Sequence, residues 1–295
     1  MVALAAASPV GVYYVVRELD PFWAAALRFV AAGLIFWIAM ISLRIRLPRG
    51  RALFGAVLYG VVGFFLAFAF VFWGMKETPP GTAGLLLAIV PLFTILLARL
   101  HRLEAVRIRS IVGATIALGG IGIIVADRIS LDVPVLSVLA LIAASLCLAE
   151  SSIILKLTPR IDPIATNAIA LTVGGLMLAL LSLIIGESWV LPRTGESWLS
   201  MGFLIVGGSV GVFGLYVFVL SRWSATAVSY ELLLSAVITP VYSALLTDEI
   251  FTWSLAFGGM VVLAGVYVGV FARRRPAIGP PEAMPITRSD ADPPA

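Results

Sequence analysis

Long apolar runs dominate this sequence and leave it few possible folds. Each run has roughly the 20 residues that a helix needs to cross the hydrocarbon core of a bilayer. The runs lack the strict alternation of barrel strands, and helices are the other way to satisfy the backbone in lipid. Their approximate bounds are 1–16, 21–43, 52–75, 80–98, 109–126, 134–157, 163–186, 197–221, 224–246 and 252–271. The sequence therefore predicts an all-α membrane protein with about ten transmembrane helices.

Composition agrees with this class and excludes others. Hydrophobic residues make up 61% and charged residues 12% of the chain, whereas soluble domains carry about 25% charged residues. The single cysteine, Cys147, lies inside an apolar run, so neither an intrachain disulfide nor a metal cluster is expected. No Walker-type loop is present, and basic residues cluster between apolar runs. We expect no cofactor, no bound metal and no nucleic-acid partner.

The distribution of arginine and lysine predicts the orientation. Of the 20 basic residues, 15 lie at the two ends and in the even-numbered loops, four lie in the odd-numbered loops, and Arg28 lies inside a span. Cytoplasmic loops carry the excess of positive charge in membrane proteins. The sequence therefore predicts a multi-pass inner-membrane protein with both termini in the cytoplasm.

A weak internal repeat divides the chain into two halves. An Asp-Pro pair and a later Gly-Leu pair open spans 2 and 7 at an offset of 142, and a Glu followed nine residues later by Gly recurs at an offset of 145. The paired positions are Asp20 and Asp162, Gly33 and Gly175, Glu104 and Glu249, and Gly113 and Gly258. Five helices per half would place the halves in opposite orientations, as in many transporters. The expected units are 1–126 and 134–271, followed by a disordered cytoplasmic tail, 272–295.

Several short segments resemble the EamA type of the drug/metabolite transporter superfamily. They are residues 28–32 (Arg-Phe-Val-Ala-Ala), 91–94 (Pro-Leu-Phe-Thr), 240–243 (Pro-Val-Tyr-Ser) and the two Glu-to-Gly spacings. The resemblance covers residues 1–271 and implies a ten-helix basket around a central cavity that transports metabolites such as amino acids, sugars or drugs, often outward. The usual beginning of the first helix is missing, so we expect a truncated N-terminus.

Three charged residues lie inside predicted spans, where a charge costs at least about 2.5–3.5 kcal/mol. Arg28 is either a structural donor to neighbouring carbonyls or a clamp for a substrate carboxylate or phosphate. Glu150 and Glu231 lie at similar depth, and each is either a protonated acid in an interhelical bond or a carrier of a proton or substrate cation. We predict that both glutamates face one cavity.

Aromatic and proline residues complete the candidate site. We expect Tyr13, Trp73 and Tyr230 near the cavity, and we expect Pro91 and Pro240 to kink their spans because each removes an intrahelical hydrogen bond. A G-x-S-x-G pattern around Ser209 matches that of serine hydrolases, but the only histidine, His101, lies in a distant loop, so hydrolysis is rejected.

The predicted function is secondary transport of a small polar metabolite, amino-acid-like or drug-like, by alternating access and in the outward direction. The expected partners are this small-molecule substrate, the lipid bilayer and, as a candidate coupling ion, the proton, with monomer and homodimer both left open. The alternatives are a membrane-embedded enzyme or lipid-handling protein and a non-transporting membrane subunit. We do not expect an enzyme because the sequence offers too few clustered catalytic residues.

Overall fold

The computed structural model describes residues 1–103, 108–129, 133–159, 161–223, 225–247 and 252–271, and all regular structure in these ranges is helical. The helices are α1 (Val2–Val16), α2 (Pro21–Ser42), α3 (Arg51–Gly74), α4 (Pro80–Leu100), α5 (Ile108–Ile129), α6 (Val135–Leu157), α7 (Pro163–Ile185), α8 (Gly195–Arg222), α9 (Ala225–Leu246) and α10 (Trp253–Phe271). Their ends agree closely with the predicted spans. Glu104, Glu249 and the tail predicted to be disordered lie outside the described residues.

The helices have the length and surface of a membrane protein. Helices α2, α3, α4, α6, α7 and α8 are long and apolar enough to cross a bilayer, while α1 and stretches within α5, α9 and α10 are apolar but shorter. Large apolar side chains cover the outside of the bundle, including Leu199 at 77% and Leu245 at 75% exposure. An apolar surface this extensive is stable only against lipid.

Three helices are irregular in the middle. π-helical turns occur at Gly60–Leu66 in α3 and at Leu204–Gly211 in α8, and such turns often mark functional positions. Helix α4 is interrupted at Ala88 and Ile89, and its second piece begins at Val90, next to Pro91, whose ring nitrogen cannot donate a hydrogen bond. Helix α9 runs through Pro240 without such an interruption, and the kinks expected at Pro91 and Pro240 stay predictions.

Helices α5 and α10 approach each other closely through glycines. A Cβ added to Gly120 would lie 2.6 Å from the backbone nitrogen of Val262 and 2.7 Å from the carbonyl oxygen of Gly258. A Cβ added to Gly265 would lie 2.4 Å from the nitrogen of Ala117 and 2.6 Å from the carbonyl oxygen of Gly113. Positions early in α5 meet positions late in α10, so the two helices are antiparallel.

Helices α2 and α7 pack in the same manner. Gly33 lies against Thr172, and Gly175 lies against Val30, so residue numbers rise along one helix as they fall along the other. The indole Nε1 of Trp37 donates to Thr172 Oγ1 across the same interface at 2.9 Å. This antiparallel pair holds Arg28 of α2 at a fixed depth in the centre of the bundle.

One end of the bundle is tied by carboxylates that accept bonds from backbone amides. Glu187 accepts from the amides of Phe22 and Trp23 and so caps the start of α2. Glu18 accepts from the amides of Arg193 and Thr194. Hydrogen bonding to Ser197 and to these amides lowers the pKa of the Glu18 carboxyl despite an opposing effect of partial desolvation. These bonds join the loop between α1 and α2 to the loop between α7 and α8.

Candidate functional site

A cavity of about 120 Å³ lies in the centre of the bundle, between α1, α2, α3, α4, α6, α8 and α9. Its walls are mostly apolar. The polar side chains that line it are those of Ser8, Arg28, Tyr59, Ser151, Tyr216 and Glu231. An apolar pocket with a few convergent polar groups is typical of small-molecule binding sites.

Arg28 is the cation of this cavity. Its side chain is only 1% exposed. The guanidinium Nε donates to Ser209 Oγ at 2.8 Å, and Nη2 donates to the carbonyl oxygen of Gly208 at 3.0 Å. Both partners belong to the π-helical turn of α8. A guanidinium has five N–H donors, so these two bonds leave donors available toward the cavity.

Three phenylalanines surround the guanidinium, and a fourth packs on their rings. Its Cζ lies 5.2 Å from the ring centroid of Phe29, 5.5 Å from that of Phe68 and 5.9 Å from that of Phe213. Phe64 packs edge-to-face on Phe29 and Phe213. Ring faces attract cations, most strongly where water is excluded. The same rings of Phe64, Phe68 and Phe213 form an apolar wall of the cavity.

Glu231 is the acid of this cavity. Its side chain is 5% exposed, and its Oε1 has no hydrogen-bond partner among the described residues. The structure records no ion pair between Glu231 and Arg28, although both line the same space. A buried carboxyl group without a partner is costly, and it gains stability from a proton or from a cationic ligand.

The prediction that Glu150 shares this cavity is wrong. Leu148 and Ser151 of α6 line the cavity, but Glu150 lies on another side of the helix and is about one quarter exposed. Its Oε1 is 3.2 Å from Nε2 of His101, which directly follows α4. The two glutamates therefore lie at different sites.

Of the three aromatic residues expected near the cavity, two lie elsewhere. Tyr13 lies outside the cavity and accepts a hydrogen bond from Arg17 Nη1 at 2.9 Å. Trp73 faces a separate apolar groove of about 520 Å³ on the side of the bundle, together with Phe22 and Leu139. The side chain of Tyr230 lies outside the described residues.

The sequence reasoning missed three features of the site. Ser209, considered above only as a false catalytic serine, is the hydrogen-bond partner of Arg28. Phe68 and Phe213 flank the guanidinium. A usable signal was present, because the glycine-rich segment around Ser209 is an obvious place for irregular backbone inside a span.

A family comparison gives this geometry a context. The model of the EamA-like transporter family matches residues 1–126 and 135–271. The chain belongs to the EamA-like transporter family. Together with the apolar helices, this membership identifies a membrane protein of a transporter family.

Individual relatives of this EamA-like transporter are consistent with that assignment. It is 28% identical over 240 residues to an uncharacterized inner membrane transporter, YedA, of Escherichia coli K12, covering 79% of this chain and 76% of YedA. It is 25% identical over 274 residues to a probable amino-acid metabolite efflux pump of the same organism, covering 88% of each chain. A probable terminal-alkyne amino-acid exporter of Streptantibioticus cattleyicolor is 35% identical over 109 residues, which cover 36% of this chain and 37% of the exporter.

The fold also matches a solved structure. One crystal structure of a protein aligns with a TM-score of 0.66 over 93% of this chain and 95% of the other. The sequences are 21% identical, so the likeness establishes a shared fold.

Proposed function

We propose that this EamA-like transporter is a secondary exporter of a small zwitterionic, amino-acid-like metabolite. The observation that carries the proposal is the central cavity, in which Arg28 offers hydrogen-bond donors, Glu231 offers an unpartnered carboxyl oxygen, and phenylalanine rings form an apolar wall. A carboxylate at Arg28, an ammonium group at Glu231 and an apolar side chain against the rings would satisfy all three. Relatives named for amino-acid export support the same substrate class and direction.

We further propose that residues 1–126 and 134–271 are inverted repeats of five transmembrane helices each, with both termini cytoplasmic. The family model matches once in each half. The π-helical turns begin at Gly60 and Leu204, at an offset similar to those of the sequence repeat. Equivalent helices pack antiparallel, and the contacts Gly120–Gly258 and Gly265–Gly113 are exchanged by the repeat relation. A two-fold axis between oppositely oriented halves produces reciprocal contacts of this kind.

In this mechanism Glu231 also couples transport to protons. With no partner for Oε1, the empty cavity favours the protonated acid, and a substrate ammonium group favours the ionised carboxylate. Substrate and proton then occupy the same carboxyl group alternately, which is the exchange that antiport requires. Rocking of one half against the other would expose this group to each side in turn.

Flux measurements in liposomes test the proposal. Purified protein should catalyse saturable movement of a labelled neutral amino acid with an apolar side chain, and a proton gradient should accelerate uphill movement. Arg28→Lys should weaken substrate binding because lysine cannot reproduce the guanidinium geometry. Glu231→Gln should remove the acceleration by the proton gradient, whereas Glu196→Gln, an exposed control on α8, should not.

Two results would count against the proposal. Absence of saturable flux for every member of a neutral amino-acid panel would remove the substrate assignment. Unchanged proton dependence in Glu231→Gln would remove the coupling role of that residue. The apolar side groove at Trp73 favours lipid handling as the second candidate function, and movement of labelled phospholipid between leaflets in the same liposomes would support it.

A further inference from the structure

His101 and Glu150 form a second cluster of titratable side chains, outside the cavity. Nε2 of His101 lies 3.2 Å from Oε1 of Glu150, and the side chains are 30% and 27% exposed. The other ring nitrogen, Nδ1, lies 2.9 Å from the carbonyl oxygen of Leu97. A carbonyl oxygen only accepts hydrogen bonds, so Nδ1 must carry a hydrogen in this geometry.

In this tautomer, the contact between His101 and Glu150 requires a proton between Nε2 and Oε1. With Nδ1 protonated, a neutral ring presents a lone pair at Nε2, and an ionised carboxylate also presents lone pairs. Two acceptors 3.2 Å apart repel each other unless a proton lies between them. Imidazolium with carboxylate, and imidazole with carboxylic acid, each contain that one proton. The contact is therefore favourable only when this one proton is bound.

We propose that His101 and Glu150 form a proton-binding site that holds the second half of α4 against α6. The proton is shared between Nε2 and Oε1. When it leaves for solvent, the hydrogen bond is lost and the two acceptors separate. Both side chains are partly exposed, so the proton is not enclosed by protein on every side.

The structure of α4 allows such a release. The helix is interrupted at Ala88 and Ile89, so the segment Val90–Leu100 is a separate helical piece with His101 at its end. A short interruption in the backbone can absorb the dihedral change of a hinge. On the far side of α6, Leu148 and Ser151 line the central cavity. A proton bound at His101 and Glu150 would thus influence the cavity wall without entering the cavity.

Other charged or titratable groups lie on the helices packed around this corner, and the structure records no ion pair from any described one to His101 or Glu150. Lys156, for example, is directed to the carbonyl oxygens of Leu220 and Trp223. The charged or titratable groups on the surrounding helices are Arg51 and Tyr59 of α3, Arg99 of α4 and Arg102 just after it, Cys147 and Lys156 of α6, Tyr216 and Arg222 of α8, Glu231 and Tyr242 of α9, and Tyr267 of α10. Among the described residues, the proton therefore has His101 and Glu150 as its immediate partners.

The location of the proton can be measured directly because the chain contains one histidine. Protein labelled with ¹⁵N-histidine, purified without a histidine tag and placed in nanodiscs, should give one pair of ring signals. As the pH is raised in steps, Nε2 should lose its proton while Nδ1 stays protonated. A neutral ring protonated at Nε2 instead would overturn the proposal.

Release of α4 can be measured at Ala98, which is 2% exposed and packs with Ile153 and Leu220. In a Cys147→Ala background, the maleimide reactivity of Ala98→Cys is divided by that of Leu100→Cys, a position that is 73% exposed. This ratio removes the pH dependence of reactivity that the two thiols share. It should rise about tenfold or more over the same pH range, since losing a charge-assisted hydrogen bond has an effect of that size.

Substitutions give the proposal its sharpest test. The amide of Glu150→Gln can donate to neutral Nε2 without any shared proton, so its reactivity ratio should stay low at high pH. His101→Ala removes the bond and should give a high ratio at every pH. A ratio in the wild-type background that does not change with pH, or a Glu150→Gln variant that follows it, would overturn the proposal. Neither measurement depends on transport, so the proposed export function could fail while this site stands.

Discussion

Gly120→Ala should destabilise the protein by separating α5 from α10. The new Cβ would lie 2.6 Å from the nitrogen of Val262 and 2.7 Å from the carbonyl oxygen of Gly258. Both atoms belong to the backbone and cannot move aside as a side-chain tip can. The helices would have to part by several tenths of an ångström, and overpacking of this kind costs about 1–3 kcal/mol.

Gly119→Ala is the matched control for this substitution. Gly119 precedes Gly120 on α5, and an added Cβ there meets nothing within 4 Å. Both substitutions gain the same preference of alanine for helix, about 0.5–1 kcal/mol. The difference between the two variants therefore isolates the contact between the helices, and we expect it to be about 1–3 kcal/mol.

Unfolding titrations with sodium dodecyl sulfate in mixed micelles, followed by tryptophan fluorescence, measure this difference. Gly265→Ala should cost about as much as Gly120→Ala, because its Cβ would lie 2.4 Å from the nitrogen of Ala117. The double variant should cost less than both together, since one separation of the helices relieves both contacts. A Gly120→Ala variant as stable as Gly119→Ala would refute the close backbone approach.

Three further predictions follow from other parts of the molecule. Cysteines placed at Leu47 or Leu103 in a Cys147→Ala background should resist a membrane-impermeant maleimide in intact cells, and ready labelling would reverse the proposed orientation. The carboxyl group of Glu18 has a lowered pKa in the folded protein, so its stabilising effect should be present above the usual carboxyl pKa and lost as the pH falls through the folded value. The difference in melting temperature between the wild-type protein and Glu18→Gln should therefore shrink in acid, and a difference that stays constant with pH would contradict this. Arg44 has a φ of 54°, so Arg44→Gly should stabilise the protein by about 1 kcal/mol, whereas Arg46→Gly should not, as thermal unfolding of both would show.

The helices could be predicted from sequence because the bilayer imposes a length. In lipid, a run of about 20 apolar residues satisfies its backbone hydrogen bonds by forming one helix. The observed ends of α2 and α7 differ little from the predicted ones. The π-helical turns could not be predicted in this way. Their departure from α-helical geometry depends on the packing of neighbouring helices, such as that of Gly60 against Ala170.

The depth of a residue could be predicted more reliably than the direction it faces. Arg28 and Glu231 lie inside apolar runs, so their burial followed from sequence and is observed at 1% and 5% exposure. Tyr13 and Trp73 lie in helices that are apolar on all sides. Such helices carry no polar stripe to show which face points inward, and both residues face away from the cavity.

The direction in which the Glu150 side chain points depends on the face of α6 on which it lies, and not only on its depth in the bilayer. In a helix each residue turns by about 100°, so Glu150 points roughly 130° away from the face that Leu148 and Ser151 present to the cavity. Once those two residues line the cavity, Glu150 cannot, whatever its depth. A carboxyl group on that other face needs a partner from a neighbouring helix, and α4 supplies His101 because it ends near the level of Glu150 rather than near the end of α6. The separate proton site is therefore a consequence of where α4 stops and of the face on which Glu150 lies.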